Sequence, residues 1–163
     1  MFERYTANAL KDILNAEEEA KRTGQTKIGT SHLLIGIIKN RRSMISVVLK
    51  DYGITLTRVR KEVKKIVFEG GDHTKGKLPL GMECKSLLKE AFRISRKEGF
   101  DIFDSEDILF GIINSEGTDA YEIISNLKIN FDTLFYEINE IKRKKYGSSS
   151  QKYYSSNKYP FKY

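Results

Sequence analysis

The stretch Ile28-Gly29-Thr30-Ser31-His32-Leu33-Leu34-Ile35-Gly36-Ile37-Ile38 decides the fold, because it occurs twice. It returns, with every internal spacing kept, as Phe103-Asp104-Ser105-Glu106-Asp107-Ile108-Leu109-Phe110-Gly111-Ile112-Ile113. Each copy carries a hydroxyl residue, Thr30 or Ser105, suited to cap a helix. An apolar block with one glycine, Gly36 or Gly111, follows in each. Extended outward without a gap, the same register lays Ala16 on Ala91, Gly24 on Gly99, Ile54 on Ile129, Glu62 on Glu137 and Ile66 on Ile141. Self-similarity of this kind marks two copies of one supersecondary unit that complete a core together.

Around the first copy, Thr6 is placed to cap a helix striped by Leu10, Ile13, Leu14, Ala16 and Ala20, with Gly24 after Lys21-Arg22 as its stop. The repeated stretch gives a second helix from about Ser31 to about Asn40, apolar nearly all round and therefore expected inside. Ser43 opens a third helix with Ile45, Val48 and Leu49, ended at Gly53. Thr55 or Thr57 opens a fourth, with Val59, Val63, Ile66 and Val67 on one face. Arg58, Arg60, Lys61, Lys64 and Lys65 fall mostly on the other. A Gly-rich connector from Glu69 to Gly81 leads to the second set. There Leu87, Leu88, Ala91 and Ile94 stripe a fifth helix, and Ser105 is expected to cap the sixth. Tyr121, Ile123, Ile124 and Leu127 mark the seventh, and Leu134, Phe135, Ile138 and Ile141 the eighth. Neither sustained alternation nor an Asn-Gly or Asp-Gly turn signals a strand.

The expected fold is all-α: eight helices as two pseudo-twofold-related four-helix repeats over residues 1–145. Repeat one covers about 5–70, the linker 69–81 and repeat two about 80–145. The Ser-, Tyr- and Lys-rich run 146–163 lacks the apolar residues of a core and is expected to be a disordered linker or tail.

With 163 residues and 39% apolar content, one domain with a real core is expected. No apolar run approaches the roughly 18 residues of a membrane span, and the N-terminus lacks a signal-peptide core. The single Cys84 excludes an internal disulfide and fits a reducing compartment. It falls on Ala9 in the repeat register and is expected to be a small packing residue. The net charge of +7 is that of residues 1–77, while residues 78–145 are mildly acidic and the tail adds three lysines.

Gly71-Asp72-His73-Thr74-Lys75-Gly76-Lys77 matches the first seven positions of a phosphate-binding P-loop. Leu78 stands where a magnesium-binding hydroxyl belongs, and a basic helix precedes where a buried strand should, so the segment reads as connector. His32 and His73 are the only histidines, and no metal-binding spacing includes them. His32, in the first turn of a buried helix, is expected to pack or cap. No catalytic constellation and no cofactor are expected in this chain.

The order of these parts resembles the N-terminal domain of the Clp ATPases, the ring-forming protein unfoldases, and the ClpC type above all. The match rests on Phe2-Glu3-Arg4-Tyr5-Thr6, on Glu18-Glu19-Ala20-Lys21-Arg22-Thr23-Gly24, and on Ile28 to Ile37 with its repeat. It covers residues 2 to about 145. The resemblance implies a recognition module for protein substrates and adaptor proteins, carried on an ATPase ring that feeds the Clp protease. ATP and magnesium would then belong to modules outside this chain, which alone would hydrolyse nothing. The resemblance also implies binding at the two helix starts, Thr30-Ser31-His32 and Ser105-Glu106-Asp107, which the bacterial ClpC family uses for phosphorylated arginine. Repeat one here has Ser31 where the family keeps a guanidinium-binding glutamate. Repeat two keeps Glu106 but adds Asp104 and Asp107, and three carboxylates would repel a phosphate. Neither start is therefore expected to be a complete phosphoarginine receptor; two readings of the second stay open, a seat for an unmodified Arg or Lys side chain, or Asp104, Glu106 and Asp107 simply stabilising the helix start through its dipole.

Two other readings stay open on the sequence. One is a stand-alone subunit of the same fold that docks on a Clp protease core. The other is a basic helical domain that binds nucleic acid through the fourth helix, although that helix has no interleaved aromatics to stack bases. Composition rich in Lys, Asn, Ile and Tyr suggests an AT-rich genome. With the resemblance, it points to a plastid-type stroma, or else to the cytoplasm.

Overall fold

The computed structural model describes residues 2–70 and 76–146. Among them are eight helices: α1 (Ala7–Arg22), α2 (Thr30–Lys39), α3 (Met44–Asp51), α4 (Leu56–Ile66), α5 (Met82–Lys97), α6 (Ser105–Ile113), α7 (Asp119–Asn126) and α8 (Phe131–Tyr146). The described residues form no strand. His73, most of the P-loop-like segment and the tail beyond Tyr146 lie outside them.

Local chemistry sets most helix starts. Thr6, Thr55 and Thr118 accept hydrogen bonds from the amides of Ala9, Arg58 and Tyr121, and so cap α1, α4 and α7. Gly24 and Gly99 take positive φ after α1 and α5, a turn that favours glycine. α2 and α6 are the central pair, and every residue of α6 is buried. α2 packs along α1 so closely that a Cβ on Gly36 would stand 2.1 Å from the Asp12 carbonyl oxygen. Gly111 repeats the arrangement in α6, but there a Cβ would meet the Leu87 and Ala91 side chains instead.

The repeats interlock. α2 contacts α7, α3 contacts α8 and α4 contacts α7, so each four-helix unit completes the other's core. Cys84 is fully buried within that core.

The α1 stripe differs from the sequence reading. Ala9, Ile13, Ala16 and Ala20 are buried, whereas Leu10 and Leu14 are 38% and 53% exposed. Asp12 takes the inward position, because Asn40 Nδ2 donates to its Oδ1 at 2.8 Å. Burial pushes Asp12 up to about 7, helped by the Asp104 and Glu106 charges and opposed by hydrogen bonds from Ser105 and Asn40. On α4 the basic face is not wholly solvated. Arg60 forms two bonds of 2.9 and 2.8 Å to Glu19, which also holds Arg22. Burial would raise Glu19, but the two arginines outweigh it and hold it near 2.

Candidate functional site

Two pairs of helices begin side by side, each pair joined by one isolated parallel bridge. At the first junction Ile28 N donates to Pro79 O and Gly81 N donates to Ile28 O, both at 2.9 Å, which sets the starts of α2 and α5 together. At the second, Thr6 N donates to Phe103 O at 2.9 Å and Phe103 N donates to Arg4 O at 2.8 Å, which sets α1 beside α6. A helix start presents amides without intrahelical partners and a partial positive charge. Each junction therefore concentrates unused donors, and both sequence-predicted sites fall on them.

The second junction is filled by the chain's own side chains. Thr6 Oγ1 donates to Asp104 Oδ1 at 2.7 Å, and that oxygen accepts the Ser105 amide at 2.8 Å. Asp107 Oδ2 accepts the Asp104 amide at 2.8 Å. Lys145 Nζ lies 2.6 Å from Asp104 Oδ2 and 2.7 Å from Glu106 Oε1. Lys142 Nζ lies 2.6 Å from Asp107 Oδ1 and 3.7 Å from the Phe100 ring centroid. Burial, with the Asp107 and Asp104 charges, pushes Glu106 up to about 7 against the pull of Lys145 and Lys142. Burial would lower Lys145, but Glu106 and Asp104 overcome it and keep its ammonium charged. Asp104 is likewise raised by burial, yet Lys145 and Thr6 bring it below the usual carboxylate range.

Two sequence expectations change here. Asp104, not Ser105, caps α6, since its carboxylate reaches the free amide from one position earlier. The three carboxylates do meet a basic partner, and it is the chain's own α8.

The first junction has none of this furniture. Its N-caps are Gly29 and Gly81, and neither has a side chain to bond the free amides. His32 takes the place of Asp107, and its Nδ1 accepts the Gly29 amide at 2.8 Å. That bond leaves the ring proton on Nε2, a buried donor with no hydrogen-bond partner. Burial lowers His32 to about 4; the Glu19 charge resists and the Arg22 charge adds to it, so the ring is neutral at physiological pH. Thr30 does not cap α2. It occupies the first helical position, and its Oγ1 accepts the Ala120 amide at the start of α7, 3.1 Å away.

Ser31 supplies no carboxylate where the other repeat has Glu106. In the repeat register Val67 and Gly70 fall on Lys142 and Lys145, but α4 ends at Ile66 while α8 runs on to Tyr146, and Gly70 instead donates to Thr23 O at 2.8 Å. What remains is a groove of about 360 Å³ lined by Lys27, Gly29, Ser31, Val67, Gly81 and Glu83 among others. Met82 at its edge is 82% exposed, and Phe68, next to Val67, is 95% exposed.

The sequence reading named Thr30, Ser31, His32, Ser105, Glu106 and Asp107, and missed Thr6, Lys142 and Lys145. The repeat register carried the missing signal: Lys142 falls on Val67 and Lys145 on Gly70, two charge insertions opposite three acidic ones.

A twofold all-α repeat with paired helix starts at its two junctions defines a class. The chain belongs to the Clp repeat (R) N-terminal domain family, whose model matches residues 4–127. Among curated relatives, the chloroplastic chaperone protein ClpC1 of Arabidopsis thaliana is 34% identical over 127 residues, covering 78% of this chain and 14% of that protein. The ATP-binding subunit ClpA homolog of the ATP-dependent Clp protease from Guillardia theta is 32% identical over 130 residues, covering 80% and 16%. The chain thus spans about a sixth or less of the curated relatives it matches. Among solved structures, the N-terminal domain of the chaperone ClpD from Arabidopsis thaliana superposes with a TM-score of 0.71 at 25% identity, covering 89% of this chain and 97% of that one. The Hsp104 N-terminal domain from Candida albicans has the same fold, with a TM-score of 0.71 at 19% identity.

Proposed function

We propose that this chain is the substrate- and adaptor-recognition N-terminal domain of a ClpC-type ATP-dependent protein unfoldase, and that it engages protein segments at the first junction. Membership of the Clp repeat family carries the reading. The open groove at the α2 and α5 starts, with Met82 and Phe68 exposed beside it, supports the choice of junction. An exposed apolar rim around unused polar donors is what a protein-binding surface needs. ATP hydrolysis, with its magnesium, belongs to modules outside this chain, and coupling to the Clp protease runs through them. Chloroplastic relatives favour a plastid stroma as the setting.

The test is a chimera in which residues 1–145 replace the N-terminal domain of a ClpC-type ATPase. Degradation of a model client by the matching protease is then compared with a ring lacking any N-terminal domain. Recovery of adaptor-dependent degradation supports the reading. A rate equal to that of the truncated ring, from a chimera that assembles and hydrolyses ATP, overturns it.

A further inference from the structure

We propose that the outer face of α4 is a docking surface for an acidic segment of a partner protein, held by Arg58, Lys61, Lys64 and Lys65 and bounded at its end by Phe68. This goes beyond the recognition reading and does not depend on it.

The two faces of α4 do different things. Val59 and Val63 are buried in the core, and Arg60 turns inward to Glu19. Arg58, Lys61, Lys64 and Lys65 stay on the exposed side. Glu62, the one acid of the helix, pairs with Lys65, and Arg58 Nη1 donates to Gly53 O at 2.8 Å. The charge of Glu69, past the helix end, acts on Arg22. Lys61 and Lys64 form no ion pair among the described residues.

Cations set this close work against the helix. Lys61 stands three residues from both Arg58 and Lys64 and four from Lys65, and like charges at those spacings repel. Arg58 also lies in the first turn, where the helix dipole disfavours a cation. Nor does the fold ask for them. The matching positions on α8 hold Thr133, Tyr136, Asn139 and Glu140, without one cation. Yet α8 packs on α6 and α3 as α4 packs on α2 and α7.

The chemistry of the occupant follows from what the face has and lacks. It offers more cations than carboxylates, so carboxylates complement it. Its apolar part is confined to one end, where Ile66 and Phe68 are exposed. A membrane surface would need an apolar face along the whole helix, and that face is already in the core. A nucleic-acid strand would need aromatics between the cations to stack its bases, and Phe68 lies past the last of them. The chain's own tail carries three lysines and no acid, so its charge is of the wrong sign. An acidic protein segment with one apolar residue meets both features. Val67 lines the open groove, so such a partner sits at the edge of the first junction.

The experiment follows the fluorescence anisotropy of a labelled peptide, acetyl-Asp-Glu-Glu-Leu-Phe-Glu-Glu-Asp-amide, as the full 163-residue chain is added at low salt. Saturable binding is expected, weakening as salt is raised, with NMR amide shifts centred on Arg58 to Phe68. Lys61→Gln combined with Lys64→Gln should weaken binding about tenfold. Lys89→Gln combined with Lys97→Gln, two exposed lysines of α5, should leave it unchanged. Equal losses in the two double variants overturn the proposal, because net charge alone then holds the peptide. So does a parent chain that shows no saturable binding. Tighter binding of a labelled oligothymidylate of equal charge also overturns it, because the face is then a nucleic-acid surface.

Discussion

The two repeats spend their charges in different places. Repeat one puts a buried carboxylate, Glu19, between Arg22 and Arg60 along the seam of α1 and α4, and leaves its inner helix start neutral. Repeat two has Ile94 and Phe135 at the positions matching Glu19 and Arg60, both buried, and puts its charges at the helix start. The same backbone plan thus carries its polar network either on the seam or at the junction. A helix start crowded with matched ions is closed, and one built from glycine caps and a neutral histidine is open. The difference teaches that pseudo-symmetry of fold does not make two equivalent sites.

The largest effects should come from breaking the closed junction or the tight glycine contact. Lys142→Ala leaves Asp107 buried without its cation, at a cost of about 4 kcal/mol. Val67→Ala, at the matching position, should cost about 1 kcal/mol. Urea unfolding of both variants measures the contrast, and equal costs would erase it. Next, Gly36→Ala drives a Cβ into the Asp12 backbone, for about 3 kcal/mol. Gly111→Ala meets side chains that can turn aside, and should cost about 1 kcal/mol. Thermal melts should rank them in that order.

A pH series sharpens the comparison further. Asp12 rests near 4 when unfolded and near 7 when folded, so the folded state holds the extra proton between those values. Its effect is a stability that is greatest below about pH 4 and falls as the pH rises to 7, by an amount on the order of 3 kcal/mol. Asp12→Asn should shrink that fall. Glu19 runs the other way. Its folded value near 2 lies below the ordinary carboxylate value, so its contribution is complete above about pH 4.5 and is lost as the pH drops toward 2. Melting curves from pH 2 to 8 should therefore peak between the two regimes. Glu19→Gln removes the acid limb, and Asp12→Asn lowers the neutral one.

Below the loss at Lys142, Lys145→Ala should cost about 2 kcal/mol, because its ammonium is part-exposed and screened although Glu106, which it bonds, is buried. The smallest change is expected from Glu18→Ala, whose pairing with Lys39 spans 3.6 Å at the surface and is worth less than about 0.5 kcal/mol.

Most of the helical plan was legible in the repeat alone, since hydroxyl caps at Thr6 and Thr55 and stops at Gly24 and Gly99 act within one turn of chain. The α1 face was misread where a buried carboxylate displaced two leucines. Periodicity ranks Leu above Asp, and only the long-range bond from Asn40 makes Asp12 the inward residue. Both inner caps were placed one residue late for the same kind of reason. Thr30 answers to the α7 amide from the other repeat, and Asp104 outcompetes Ser105 for the free donors. Junction residues could be named from their sequence positions, but their occupancy could not. Lys142 and Lys145 are distant in the chain, and only the length of α8 carries them over the acids.

One NMR titration tests the asymmetry most directly: an unfolded model client, reduced casein, added to the uniformly labelled chain. An open first junction predicts that the shifts cluster on Gly29 to His32, Phe68 and Met82, while Asp104 to Asp107 stay in place. Shifts centred on Asp104 to Asp107, with the first junction silent, would contradict it.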